Sequence, residues 1–180
     1  MNSSNTPDKR SRSDFLFPYP QIRPVQEELM QQVKEAIVNS SNLIVHAPTG
    51  LGKTIATLGP ALRHAIDKGK KVFFLTSRHT QHLIAIDTLR EIKDHFELDI
   101  NSVDIIGKKW MCSVPEVSTL YSNEFAEYCK KQREEGKCEF HTKLKSGIKL
   151  TTEGKLALEE LKSKSPCHIE EMKQIAEKHE

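Results

Sequence analysis

The residues from Asn42 to Thr54 read Asn-Leu-Ile-Val-His-Ala-Pro-Thr-Gly-Leu-Gly-Lys-Thr. A short apolar run breaks into a glycine-containing loop that ends in Gly-Lys-Thr, and a helix-forming series follows at once. Gly50 and Gly52 allow the backbone to curl so that successive N–H groups face phosphate oxygens. A helix starting near Thr54 adds the positive end of its dipole. Lys53 is then placed for the β- and γ-phosphates, and the Thr54 hydroxyl is a ligand for magnesium. The ligand class this spacing points to is a nucleoside triphosphate with Mg2+. The general phosphate-loop pattern opens with glycine, whereas the first position here is Ala47. The plain alternative is an ordinary strand-to-helix turn with a surface lysine.

A second set of chemically capable residues is the four cysteines, Cys112, Cys129, Cys138 and Cys167, separated by 16, 8 and 28 residues. No Cys-x-x-Cys pair occurs, which weakens a zinc finger or ribbon. Widely spaced thiolates suit an iron–sulfur cluster, which accepts cysteines from irregular loops. Spacing alone leaves iron–sulfur, zinc and unligated thiols open.

The elements that must position these residues are legible as an alternation. Pro24 suits the first turn of a helix running to about Val38, with Val25, Leu29, Val33 and Ile37 at near-helical spacing. Leu43–His46 reads as a strand. The loop follows, then a helix to about Lys68 capped by Gly69. Lys71–Leu75 reads as a second strand, His79–His95 as a helix, and Ser102–Ile106 as a third strand. Strand, helix, strand, helix, strand predicts parallel βαβ units. After Gly107 the pattern changes. Between Lys130 and Lys164 there are ten Lys/Arg against six Glu, and apolar periodicity is weak until Leu156–Leu158 and Ile169–Ala176. Such a segment needs a staple beyond its own core.

Composition bounds the rest. With 180 residues, 37% hydrophobic and 29% charged, the chain is long enough for one domain with a real core plus an insert. A net charge of +2 is too small by itself to argue for nucleic acid. No apolar run has the length of a membrane span, and Met1–Asp14 has no apolar stretch of signal-peptide type. We expect a disordered tail over 1–14 and an intracellular, cytoplasmic protein with free or metal-bound thiols.

Several motifs stand in order: Phe17-Pro-Tyr-Pro-Gln-Ile-Arg-Pro-Val-Gln26, Ala47–Thr54, Phe74-Leu-Thr-Ser-Arg-His-Thr-Gln81, Trp110-Met-Cys-Ser-Val-Pro-Glu116 and Glu127-Tyr-Cys129. Together they resemble the amino-terminal part of the iron–sulfur superfamily 2 DNA helicases, the xeroderma pigmentosum group D family, in an archaeal-looking form. The resemblance spans roughly Asp14 to Glu180. It implies an α/β fold: a partial RecA-like P-loop parallel sheet with helices on both faces over 15–107, then a mostly helical cysteine-bearing iron–sulfur domain over 108–180.

The resemblance also assigns residues. ATP is to be held by Tyr19, Arg23 and Gln26, with Gln26 at the adenine, and by Ala47, Pro48, Thr49, Gly50, Leu51, Gly52, Lys53 and Thr54. Lys53 and Thr54 carry the catalytic roles, and Ala47 is normal for that superfamily. Thr76, Ser77, Arg78 and His79 are to meet DNA, although the start of a solvated helix is their plain reading. Cys112, Cys129 and Cys138 are the first three ligands of a 4Fe-4S cluster. The fourth is expected in a Cys-Pro-Tyr after the last helix, and Cys167 lies before it. Lys143, Lys145, Lys149 and Lys155 are candidates for phosphate contact or a solubilising surface.

The implied activity is ATP-driven 5′ to 3′ unwinding of single-stranded or forked DNA, in repair, by a monomer with no membrane partner. The sequence contains no Asp-Glu dipeptide, so the magnesium-holding acidic pair of such motors is missing, as is a second motor lobe. We therefore expect an amino-terminal fragment that binds nucleotide and hydrolyses it poorly. Two other function classes compete: another P-loop nucleotide-binding protein, and a non-catalytic nucleic-acid-binding module hinted at by Leu150–Leu158.

Overall fold

The computed structural model describes residues 13–145 and 150–179. Residues 1–12 of the expected tail, and Lys149, lie outside the described residues, as does the side chain of His79. The chain divides into two compact units, Met1–Ile100 and Asn101–Glu180.

In the first unit, helix α1 spans Pro24–Val38, α2 Lys53–Lys68 and α3 His79–Phe96. Pro24 opens α1, where its missing N–H costs nothing. Gly69 ends α2 in the left-handed conformation at φ 59°, and the Lys70 amide closes back on the Ala65 carbonyl at 2.8 Å. The core is built by the lead-in segment, not by a sheet. Phe15, Leu16, Phe17 and Ile22 pack with Leu29 and Met30 of α1, Ile55 and Ala56 of α2, Leu51 of the loop and Ile92 of α3. Leu16 is buried at φ 47°, a left-handed conformation that a leucine holds only where packing compensates the strain.

The lead-in crosses α2 at Gly59. A methyl group placed there would stand 2.2 Å from the Phe15 carbonyl oxygen. Glycine in a helix interior ordinarily costs stability; here it is what lets two backbones touch. Pro60 follows inside the same helix and is buried.

The second unit holds α4 Lys108–Met111, a 3-10 turn Pro115–Thr119, α5 Ser122–Glu134, α6 Glu139–Lys145, α7 Thr152–Lys164 and α8 Ile169–Lys178. Thr151 caps α7 by accepting from the Gly154 amide at 3.1 Å. α7 and α8 are clamped through Glu160, whose carboxylate accepts from Lys164 at 2.7 Å and from Lys178 at 2.9 Å, with His179 Nε2 at 2.7 Å. The start of α8 is tied down by the buried Asp104, which accepts from the Ile169 amide at 3.1 Å.

The expected parallel sheet, with helices on both faces, is not what forms. Among the described residues there is no strand, and the fold is helical. The three apolar runs assigned to strands, Leu43–His46, Lys71–Leu75 and Ser102–Ile106, are irregular. They expose Ile44 (98%), Phe73 (84%) and Leu75 (88%). Apolar β-branched and aromatic residues favour strands because they fit a covered, pleated surface; the preference does not belong to the backbone alone. Here the covering layer is taken by the lead-in and the helices. The backbone of the third run is tied elsewhere, the Ser102 amide donating to Ser165 Oγ at 3.1 Å.

Replacing Gly59 by alanine should therefore invert the usual sign. A helix interior gains about 1 kcal/mol from Gly→Ala, whereas overpacking a filled crossing costs about 1–3 kcal/mol. Denaturant unfolding should show Gly59→Ala less stable than wild type; a gain in stability would mean that the lead-in does not cross α2 there.

Candidate functional site: the loop before α2 and the cysteine cavity

The loop before α2 is shaped by two left-handed glycines, Gly50 at φ 82° and Gly52 at φ 81°. Gly52 occupies the helix N-cap position, so the first free amides of α2 open toward the loop. Three cationic or amide side chains converge on its carbonyls. Lys53 Nζ donates to Ala47 O at 3.1 Å and to Pro48 O at 2.9 Å. Arg23 Nη1 donates to Gly50 O at 2.9 Å, and Gln26 Nε2 donates to Leu51 O at 3.1 Å. Gln26 is buried, whereas Thr49, Gly50, Gly52 and Lys53 are exposed and Thr54 is half-buried. A methyl group on Gly52 would come 2.6 Å from Gln26 Nε2, so the glutamine and the loop are in register only because residue 52 is glycine.

The structure thus brings together Arg23, Gln26 and Ala47–Lys53. It sends Tyr19 elsewhere. The Tyr19 hydroxyl makes a short hydrogen bond to Glu91 Oε2 on α3, and its ring stands edge-on to Phe17 at 5.3 Å. Burial, then the hydrogen bond and charge of Glu91, push the Tyr19 phenol up to about 12. Glu91 is a partner that sequence reasoning missed; a lone glutamate on a helix face carries no signal of its own. Thr76, Ser77 and Arg78 lie at the approach to α3. Thr76 Oγ1 donates to the Arg78 carbonyl at 3.4 Å, and Ser77 and Arg78 are exposed.

In the second unit, Cys112, Cys129 and Cys138 line one cavity of about 180 Å³ with Phe125, Tyr128, Gln132, Lys137 and Phe140. Cys112 follows the last turn of α4, Cys129 projects from α5 one turn after Phe125, and Cys138 stands just before α6. All three thiols are free and half-buried. Cys167 does not line the cavity; it is buried in the hinge between α7 and α8, its Sγ 4.0 Å from the Leu161 carbonyl oxygen. Among the described residues no three His, Cys, Asp or Glu side chains stand close enough to hold a single metal ion. A cluster asks for something different. Each thiolate takes its own iron, so the ligands must ring a volume instead of meeting at a point, and three thiols round one partly apolar cavity fit that demand. Tyr128 stands within the Glu127-Tyr-Cys129 motif; Lys137 and Phe140 are not singled out by the sequence, though Lys137 is the immediate neighbour of Cys138.

The family model of DEAD/DEAH box helicases matches residues 23–124, and the DEAD_2 model matches residues 74–180. The chain belongs to the DEAD/DEAH box helicases, in the XPD/Rad3-like DEAD_2 group. This helicase-family chain is 39% identical over 82 residues to a probable ATP-dependent helicase of Methanocaldococcus jannaschii, which covers 46% of the chain and 12% of that protein. It is 26% identical over 111 residues to the general transcription and DNA repair factor IIH helicase subunit XPD/RAD3 of Saccharomyces cerevisiae, covering 57% of the chain and 14% of the relative. It is also 26% identical over 107 residues to the 3′-5′ exonuclease DinG of Staphylococcus haemolyticus, covering 59% and 12%. The helicase chain therefore spans about an eighth of the length of these relatives. No solved structure matches it. Among its described residues no helix is long and apolar enough to cross a membrane.

The Tyr19–Glu91 contact can be read by titration. The folded value lies above the ordinary 10.0, so the neutral phenol is the favoured form. Its contribution is full below about 10 and is lost as pH rises through about 12. Ultraviolet titration should show one phenol ionising near 12, and Tyr19→Phe should remove that step. A Tyr19→Phe variant that keeps it would break the assignment.

Proposed function

We infer that this helicase-family chain is the ATP-binding front and iron–sulfur region of an ATP-dependent DNA helicase. The observation that carries the inference is the convergence of Arg23 and Gln26 on the loop that Lys53 closes. An adenine-side segment and a phosphate-side segment are locked to one another there by 2.9 and 3.1 Å hydrogen bonds.

In the proposed mechanism the backbone amides of Thr49–Lys53 receive the phosphates. Lys53 exchanges its two loop carbonyls for phosphate oxygens, a stronger charge-assisted pairing. Thr54 Oγ1 is the residue for magnesium, which supplies charge neutralisation at the phosphates when bound. Gln26 reads the adenine edge, and Arg23 keeps Gly50 in its left-handed turn. Tyr19 acts from behind, fixing the lead-in against α3 through Glu91. Thr76, Ser77, Arg78 and His79 are proposed to face DNA phosphates. Cys112, Cys129 and Cys138 would hold a 4Fe-4S cluster, which supplies a rigid cross-link between α4, α5 and α6; Cys167, away from their cavity, is not proposed as the fourth ligand.

The complete activity proposed is 5′ to 3′ movement on single-stranded or forked DNA, in repair, by a monomer. With no Asp-Glu pair in its 180 residues, the chain itself is proposed to bind ATP and to turn it over slowly.

A fluorescent ATP analogue should bind the chain with magnesium, and Lys53→Ala should weaken binding by roughly ten- to a hundredfold, the range of one charge-assisted contact. Unchanged affinity would defeat the phosphate-loop assignment. After anaerobic preparation with iron and sulfide, the chain should show the broad visible absorbance of iron–thiolate charge transfer, and Cys129→Ser should lose it. A colourless wild type free of iron would defeat the cluster.

A further inference from the structure

One stripe of α5 faces the cysteine cavity. Phe125, Tyr128, Cys129 and Gln132 stand at i, i+3, i+4 and i+7, which on a helix is a single face, and all four line the cavity with Cys112 and Cys138. Gln132, the last of the stripe, has a second tie to the cysteines. Gly136 turns the chain back at the end of α5 in the left-handed conformation, at φ 68°. The Gly136 amide donates to the Arg133 carbonyl at 3.3 Å and the Lys137 amide to the Gln132 carbonyl at 2.9 Å. These are the paired bonds of a Schellman cap. The Cys138 amide donates to the same Gln132 carbonyl at 3.2 Å. Residue 132 therefore stands about one turn from Cys129 and is bonded through its backbone to Cys138.

Beside the thiols, the polar side chains at the cavity are those of Tyr128, Gln132, Lys137 and Glu139. Two are neutralised by ion pairs. Lys137 pairs with Glu135 at 2.7 Å and Glu139 with Lys143 at 3.1 Å. Gln132 is half-buried, and among the described residues its side-chain amide has no hydrogen-bond partner. An amide sheltered from water without a partner costs free energy. A glutamine NH2 offers two donors, and a neutral thiol is only a weak acceptor. A sulfur that carries charge is a better one, because an ionised acceptor takes a stronger hydrogen bond.

We propose that the Gln132 side-chain amide donates a hydrogen bond to a sulfur of the iron–sulfur cluster held by Cys112, Cys129 and Cys138, and thereby raises its reduction potential. The proposal rests on the cluster reading given above and adds to it a residue that holds no iron. One-electron reduction adds negative charge at the sulfurs. An N–H dipole directed at that charge stabilises the reduced form, which is how neighbouring donors tune such sites. Tyr128 shares the stripe but has no backbone bond to Cys138, so it serves as the comparison.

The test uses the whole chain, loaded anaerobically with iron and sulfide and titrated with a chemical reductant in the presence of redox dyes. Gln132→Met nearly keeps the volume and removes both donors. It should load iron as wild type does, with the same visible absorbance. At a fixed potential its reduced-to-oxidised ratio should be about three- to tenfold lower, a shift of about 30–60 mV to more negative potential, since tenfold is about 59 mV for one electron. Tyr128→Phe should keep that ratio within about twofold of wild type.

Equal potentials in wild type and Gln132→Met overturn the hydrogen bond, as does a shift to more positive potential. A Tyr128→Phe shift as large as that of Gln132→Met overturns its assignment to Gln132. A folded Gln132→Met that takes up no iron overturns it as well, since a donor to sulfur is not needed to hold iron. Should Gln132→Met misfold by circular dichroism, Gln132→Leu decides the same question. A wild-type chain that loads no iron fails the cluster reading itself, whereas a loaded wild type beside an unshifted variant fails this proposal alone.

Discussion

The first unit depends on one close approach: the backbone of Phe15 lying against Gly59 of α2. Because no side chain intervenes, the lead-in enters the core, and Phe15, Leu16 and Phe17 supply much of what α1, α2 and α3 bury. That seating fixes where the next residues emerge. Tyr19 reaches Glu91, Pro24 begins α1, and Arg23 and Gln26 arrive at the carbonyls of Gly50 and Leu51. The loop geometry is therefore coupled to a packing contact made by residues that touch no ligand. Burial of three large apolar side chains, roughly 1.5–3 kcal/mol each, holds in place hydrogen bonds that would individually contribute only about 1 kcal/mol.

The second unit solves a different problem. Its helices are short; α7 and α8 are joined through Glu160, which meets Lys178 and His179, while Thr151 and His168 each cap the start of their own helix. The three thiols face a common space among Phe125, Tyr128 and Phe140. Arg133 stands one helical turn beyond Cys129 on α5 and donates back to its carbonyl at 3.3 Å.

The helices were legible because their signals are local. Proline at the first turn of α1, glycine after α2, and apolar spacing along α3 each act within a few residues, and the observed bounds Pro24–Val38, Lys53–Lys68 and His79–Phe96 follow them closely. The sheet was misread because strand signals are not local. Leu43–His46 and Lys71–Leu75 carry strand-like side chains, but a strand exists only with a partner ladder and a cover. Among the described residues those runs have neither, and Ile44 and Phe73 stand in solvent. Spacing leaves open whether the cysteines share a ligand, and no rule of spacing places Cys167 in the hinge between α7 and α8, away from the cavity of the other three. Glu91 was invisible because what matters about it is where α3 sits relative to Tyr19, a tertiary fact. Lysine excess marks residues 130–164, while the pairing of Lys143 with Glu139 needed coordinates.

If the lead-in and the loop form one mechanical unit, nucleotide must change both together. Amide hydrogen exchange on the whole chain, with and without an ATP analogue and magnesium, measures this directly. Protection should rise at Gly50–Thr54 and, in parallel, across Ile22–Gln26, since Arg23 and Gln26 are bonded to the loop that takes up the phosphates. Protection confined to the loop, with Ile22–Gln26 unchanged, would contradict the coupling.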